Sequence, residues 1–113
     1  MRMKNRGFES ENIVLEYALK KGLKLIRQRW KTPFAELDLV FKSANQDKII
    51  IIEVKTNSHE ETLDYRLGAA QRDRILRASL WLRYRQRRPV DCYLALVKPN
   101  KQIILLNFDQ IQL

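Results

Sequence analysis

The spacing of apolar residues changes period several times along the chain, and each change marks an element. In residues 8–21, Ile13, Val14, Tyr17 and Ala18 fall on one face of a helix. Ser10 has the chemistry of an N-cap, and Gly22, directly after Lys20 and Lys21, that of a helix stop. Residues 23–30 (LKLIRQRW) are extended and basic, and Lys31, Thr32 and Pro33 interrupt them, which predicts an edge or early strand. Residues 35–42 (AELDLVFK) and 48–56 (KIIIIEVKT) are strand-like around a polar loop and predict an antiparallel hairpin. Helical spacing returns over 65–88, where Leu67, Ala70, Arg74 or Ile75, Ala78, Trp81 and Leu82 share a face, arginines take the rest and Pro89 ends the run. Residues 90–97 and 102–108 are near-continuous apolar runs split by Lys98 to Lys101, which predicts a second hairpin of central strands. Helix, three strands, helix and two strands imply an α/β fold, a mixed sheet with a helix on each side.

The first hairpin brings candidate chemistry together. A loop over 44–47 pairs Ser43 with Lys48, and that register sets Leu37 against Val54, Leu39 against Ile52 and Phe41 against Ile50. Ala35, Leu37, Leu39 and Phe41 then make one apolar face. On the other, Asp38 lies opposite Glu53 and Glu36 opposite Lys55. Like charges facing each other across strands are destabilising, so this pair asks for a reason, and a divalent cation supplies one. Mg²⁺ accepts one or two carboxylates and fills its remaining positions with water and phosphate oxygens. Asp38 and Glu53 suit it, with the Val54 carbonyl as a further oxygen, and Lys55 would put a positive charge beside an attacking water or the phosphate it approaches. The plainer alternative is a solvated polar stripe in which Glu36 pairs with Lys55 and Asp38 faces water; Val40, Ile49 and Ile51 make the face only partly polar, which is more like a cleft.

Charge sharpens this picture. The 113 residues carry 22 Lys+Arg against 13 Asp+Glu, a formal net charge of +9, and such a basic domain commonly meets a polyanion. The length is that of a single domain over residues 1–113, and hydrophobic (45%) and charged (31%) fractions are those of a folded chain, which excludes wholesale disorder. There is no apolar run of membrane-spanning length and no apolar block near the N-terminus, so no membrane partner and a cytoplasmic location are expected. One cysteine, Cys92, excludes an internal disulfide and a zinc site built on thiols. Three glycines leave no phosphate-binding glycine loop, and no serine or cysteine triad signature is present.

Glu36-Leu37-Asp38 followed by Glu53-Val54-Lys55 resembles the acid, Glu-x-Lys signature of the PD-(D/E)XK, restriction-endonuclease-like superfamily. From Gly7 onward the chain more closely resembles the YraN-like uncharacterised protein family, whose pattern of a Gly-Glu helix start, a Gly-Glu-Ile-Asp-Leu strand, a Phe-Val-Glu-Val-Lys strand and a basic helix is matched by Ser10-Glu11, Ala35 to Leu39 and Ile51 to Lys55. The resemblance implies a restriction-endonuclease-like core in which Asp38 and Glu53 bind Mg²⁺ or Mn²⁺ and Lys55 assists catalysis, as in Holliday-junction-resolvase-like relatives. Glu11 would add an acid to that cleft, or merely favour the start of its helix. The chain departs from the pattern at Ser10 and Ala35, where glycines are expected, at Leu37 in place of the proline, and at Gln71 or Arg72 in place of a lysine opening the basic helix. Those departures bear on turnover more than on metal binding.

Candidate contacts to nucleic acid, DNA rather than RNA, are Arg29, Gln71, Arg72, Arg74 and Arg77, within an arginine-rich helix that also offers Arg66, Arg83, Arg85, Arg87 and Arg88. Trp81 is expected in the core; Trp30 and Phe34 are the better base-stacking candidates. His59 stands alone and makes a poor zinc site. Two functions fit: a metal-dependent endonuclease acting on DNA, branched or damaged DNA included, and a nucleic-acid-binding protein that keeps the nuclease fold without catalysis. A homodimer is an option by analogy with resolvase-like relatives.

Overall fold

The computed structural model describes residues 6–58 and 67–110. Its elements are α1 (Arg6–Lys20), β1 (Lys24–Lys31), β2 (Glu36–Ser43), β3 (Lys48–Thr56), α2 (Ala69–Gln86), β4 (Val90–Val97) and β5 (Ile103–Asn107), followed by a 3₁₀ turn over Phe108–Gln110. The strands form one sheet in the order β1-β2-β3-β4-β5. β3 and β4 run parallel, with α2 as their crossover, and the other neighbours are antiparallel. The predicted order of elements and the mixed sheet between helices are both present. Among the described residues no helix is long and apolar enough to cross a membrane.

Strand alternation gives the sheet two apolar faces. On one, Val14 and Ala18 of α1 pack on Leu39, Phe41, Ile52, Val54, Ala95 and Val97. On the other, Ile75, Ala78 and Leu82 of α2 pack on Val40, Ile49, Ile51, Leu94 and Leu96. The buried stripe of α2 is Ile75, Ala78, Ser79 and Leu82; of the alternatives Arg74 and Ile75 it is Ile75 that turns inward, whereas Ala70, expected on that face, is exposed.

Two other expectations change. Ser10 is not the N-cap of α1, because the helix begins at Arg6; the Ser10 hydroxyl is buried and bonds Thr56 Oγ1 at 2.8 Å, tying α1 to the end of β3. β5 is an outer strand. The crossover places β4 beside β3, which leaves its hairpin partner β5 at the sheet margin with Leu105 exposed despite the apolar sequence.

Gly22 does stop α1. It has φ +91°, and the Leu23 and Gly22 N–H groups reach back to the carbonyls of Ala18 (3.1 Å) and Leu19 (3.0 Å), the paired bonds of a Schellman ending. No heavy atom lies within 4 Å of the place a Cβ would take, so Gly22→Ala probes the backbone alone. It is expected to cost about 1 kcal/mol, seen as a thermal midpoint several degrees lower; an unchanged midpoint would contradict the left-handed stop.

The β2–β3 hairpin keeps the predicted register from Ser43↔Lys48 to Leu39↔Ile52. It then breaks at Asp38, whose side-chain Oδ2 accepts the Val54 N–H at 2.8 Å. Leu37, expected beside Leu39 and Phe41, packs instead with Val40 and Ile51 under α2. The expected ladder pairs Leu37–Val54, Asp38–Glu53 and Glu36–Lys55 are accordingly not formed. The other neighbour of β2 is irregular at the same level: Gln28↔Leu39 and Trp30↔Leu37 flank Arg29, which has φ +48°.

Candidate active site

The break at Asp38 gathers acids from three elements. Glu53 alternates with Ile49 and Ile51 and therefore points to the α2 side, where Gln71 of α2 donates from Nε2 to Glu53 Oε2 at 3.2 Å. Asp38 is held by the Val54 N–H, one residue from Glu53. Glu11 comes from α1, buried at 8% exposure, and receives Arg29 Nε at 3.1 Å. Arg29 also lies over the Phe8 ring, 4.5 Å from its centroid. Its left-handed backbone, rare for a side chain of this size, aims the guanidinium at Glu11.

Electrostatics ties these groups together. Burial, and then the charge of Asp38, push the Glu53 carboxyl up to about 8, against the opposing pull of Lys55. Burial also raises Asp38, although the Val54 N–H and the Lys55 ammonium favour its charged form. Glu11 is raised by burial and by Asp38, with Arg29 opposing. Lys55 is thus within electrostatic reach of both central acids. Glu36 is exposed at the rim, adds its charge to Asp38 and Glu11, and pairs with Lys31 in the β1 ladder rather than with Lys55.

A divalent cation fits this donor set on one particular ground: Glu53 Oε1 is buried and has no hydrogen-bond partner. An acceptor left without a donor in such a place is costly, and a cation would satisfy it. Among the described residues no group of three or more Asp, Glu, His or Cys side chains could enclose an ion. Two carboxylates with the remaining positions open suit Mg²⁺ or Mn²⁺ better than a closed cage.

The candidate nucleic-acid residues separate. Gln71 sits in the acid cleft, a role not evident in the sequence; its place at the start of α2, where the family pattern has lysine, was the available signal. Arg72 turns inward and donates from Nη2 to the Phe108 carbonyl at 3.3 Å. Arg29 is engaged by Glu11, Arg77 pairs with Asp73 at 3.0 Å on the helix surface, and Arg74 is exposed. Trp30, expected to be a stacking candidate, is buried at 9% and meets the half-buried Trp81 edge-on, 6.3 Å between centroids. Phe34 is exposed. His59 and Arg66 lie outside the described residues. Cys92 is buried, which pushes its thiol up to about 11 and leaves it unreactive.

Comparison with known proteins fits this architecture. The uncharacterised protein family UPF0102 matches residues 10–112. A UPF0102 protein of Thermodesulfovibrio yellowstonii is 43% identical over 49 residues, 43% of this chain and 42% of its own length. One from Synechococcus is 41% identical over 56 residues, 50% of this chain and 41% of its own. This chain thus matches less than half the length of those two relatives. One from Campylobacter hominis is 27% identical over 99 residues, 87% of this chain and 86% of its own. Among solved structures, Hjc, a Holliday junction resolvase of Archaeoglobus fulgidus, matches with a TM-score of 0.70 and 19% identity, over 96% of this chain and 78% of that one. The shared architecture is the restriction-endonuclease-like fold. With nearly its whole length matched, the chain belongs to the uncharacterised protein family UPF0102.

Proposed function

We propose that this protein is a divalent-metal-dependent endonuclease that hydrolyses phosphodiester bonds in DNA, branched or damaged DNA included. The observation that carries the reading is the pairing of half-buried Asp38 with buried Glu53, with Lys55 beside them and an unsatisfied oxygen on Glu53. Apolar strands do not keep two carboxyls so close without a use for them.

Asp38 and Glu53 would hold the cation, Mg²⁺ or Mn²⁺. When bound, such an ion polarises the phosphodiester and makes a coordinated water more acidic. The Val54 N–H fixes the Asp38 carboxyl, and the Gln71 amide fixes that of Glu53, so neither has to be ordered when substrate arrives. Lys55 supplies positive charge where the phosphate approaches the two acids. Glu11, restrained by Arg29, keeps a further acid at the edge of the cleft, suited to orienting water. The +9 chain around this acidic cleft favours DNA electrostatically.

The test is incubation of the full chain with labelled linear duplex and a labelled four-way junction in Mg²⁺, in Mn²⁺ and in EDTA. Cleavage is expected in either metal and absent in EDTA. If DNA is bound in gel shifts yet uncut in both metals, the protein is a binding module that retains the fold. Absence of binding at moderate salt would end both readings.

A further inference from the structure

The outer face of α2 carries a second surface that the acid cleft does not use. Tyr84 is 86% exposed, Leu80 62% and Phe34, from the turn after β1, 40%. Phe34, Arg77, Leu80, Trp81 and Tyr84 line one shallow groove. Leu80, Arg83, Tyr84 and Arg87 line a second. Because Leu80 and Tyr84 belong to both, the two grooves form one continuous strip. Among the described residues Arg83 and Arg87 make no ion pair. Arg85 lies against Trp81, 4.9 Å from the ring centroid, which holds its guanidinium flat on the surface.

We infer that this strip binds a single-stranded nucleic-acid segment, with bases stacking on Tyr84 and Phe34 and phosphates gripped by Arg83 and Arg87. The occupant must offer flat apolar faces to the exposed rings and negative charge to the arginines, and a single strand has both in every nucleotide. A paired duplex hides its base faces. A second copy of the chain is disfavoured by charge, since an isologous contact through this strip would bring the same arginines together. The strip lies on the side of α2 turned away from the sheet: Gln71 faces the sheet and touches Glu53, whereas Leu80, at about 100° per residue, falls on the opposite side of the helix. The inference stands independently of the nuclease reading, because the strip and the acid cleft lie on opposite sides of α2.

The test is fluorescence anisotropy with the full chain in EDTA, using labelled oligothymidylate, labelled oligouridylate, a labelled duplex of equal length, and inorganic polyphosphate as competitor. Phe34→Ala/Tyr84→Ala is expected to lower the ratio of single-strand to duplex affinity at least about fivefold, the lower end for loss of one stacked base. Arg83→Ala/Arg87→Ala should reduce the slope of log affinity against log salt by about 1.4, two phosphates at about 0.7 each. Tyr84→Ala alone, at the most exposed position, serves if the double variant does not fold, and Tyr84→Phe should bind like wild type. The oligothymidylate and oligouridylate arms assign the strand as DNA or RNA by the tighter binding. An unchanged ratio in the aromatic variants, or polyphosphate binding that matches oligothymidylate, would overturn the surface. So would concentration-dependent self-association in wild type that the aromatic substitutions abolish. Failure of metal-dependent cleavage with patch-dependent single-strand binding intact would remove the nuclease reading and leave this one standing.

Discussion

Asp38→Asn is expected to reduce metal-dependent DNA cleavage by about 10²–10³-fold or more while leaving the fold intact, the range seen when one preorganised electrostatic group is removed from an active site. The substitution is informative because Asn keeps an oxygen to accept the Val54 N–H that Asp38 now accepts at 2.8 Å. Shape and hydrogen bond remain, and the negative charge goes. A half-buried neutral amide beside Glu53 also removes the repulsion that helps raise that carboxyl, so the variant should melt no lower than wild type in EDTA. Activity and stability are thereby expected to move apart, as they do when a residue is kept for chemistry rather than for packing. Cleavage rates are measured in Mg²⁺ on the better of the linear and branched substrates, with thermal melts alongside. Wild-type rates in Asp38→Asn would sink the assignment of Asp38 to the cation, and a parallel fall in midpoint would make its role structural.

In the absence of metal, stability should fall as pH rises from about 4.5 to 8. Glu53 has a folded-state pKa of about 8 against an ordinary 4.5, so between those values the folded protein holds a proton that the unfolded chain has released. Stability then decreases with pH: the contribution is fully present below 4.5 and is lost as pH passes through 8. Asp38 and Glu11 are raised as well and act in the same direction. The loss is on the order of a few kcal/mol, since a tenfold difference in proton affinity between the folded and unfolded chain is worth about 1.4 kcal/mol. Urea melts in EDTA at pH 5 and pH 8 measure it, and Glu53→Gln, which carries no titrating proton, should flatten most of the difference. Mg²⁺ should restore stability at pH 8, by about 2.7 kcal/mol at a hundredfold excess over its dissociation constant. Equal melts at both pH values would show that Glu53 is solvated in solution, and a pH loss that Glu53→Gln leaves intact would assign it elsewhere.

Much of this was legible in the sequence because local rules and global fold agree. The length of the 44–47 loop was enough to fix the pairing of Leu39 with Ile52 and Phe41 with Ile50. Pattern reading ended where the chain leaves regular geometry. Nothing in the sequence announces that Asp38 replaces a ladder bond with its own carboxylate, and that one exchange sends Leu37 to the opposite core. An arginine with positive φ is equally invisible, since no propensity favours it at position 29. Trp30 was misleading for a different reason: its basic neighbours suggested exposure, but it alone in β1 is buried, packed in the core under α2, while Arg27 covers it at 4.5 Å from the centroid. The apolar run of β5 suggested a central strand because composition reports burial and not sheet order, which the α2 crossover decides.

The left-handed backbone of Arg29 sets durability against use. A glycine there would relieve the conformational cost, yet it would strip Glu11 of its guanidinium and leave a buried acid beside Asp38 without a counter-charge. Laboratory selection for heat resistance alone would meet two opposed effects at this position, relief of the bend and loss of the partner of Glu11, while selection for activity would preserve a bend that the rest of the sheet must tolerate. Position 29 is where those two pressures can be told apart in a library of variants.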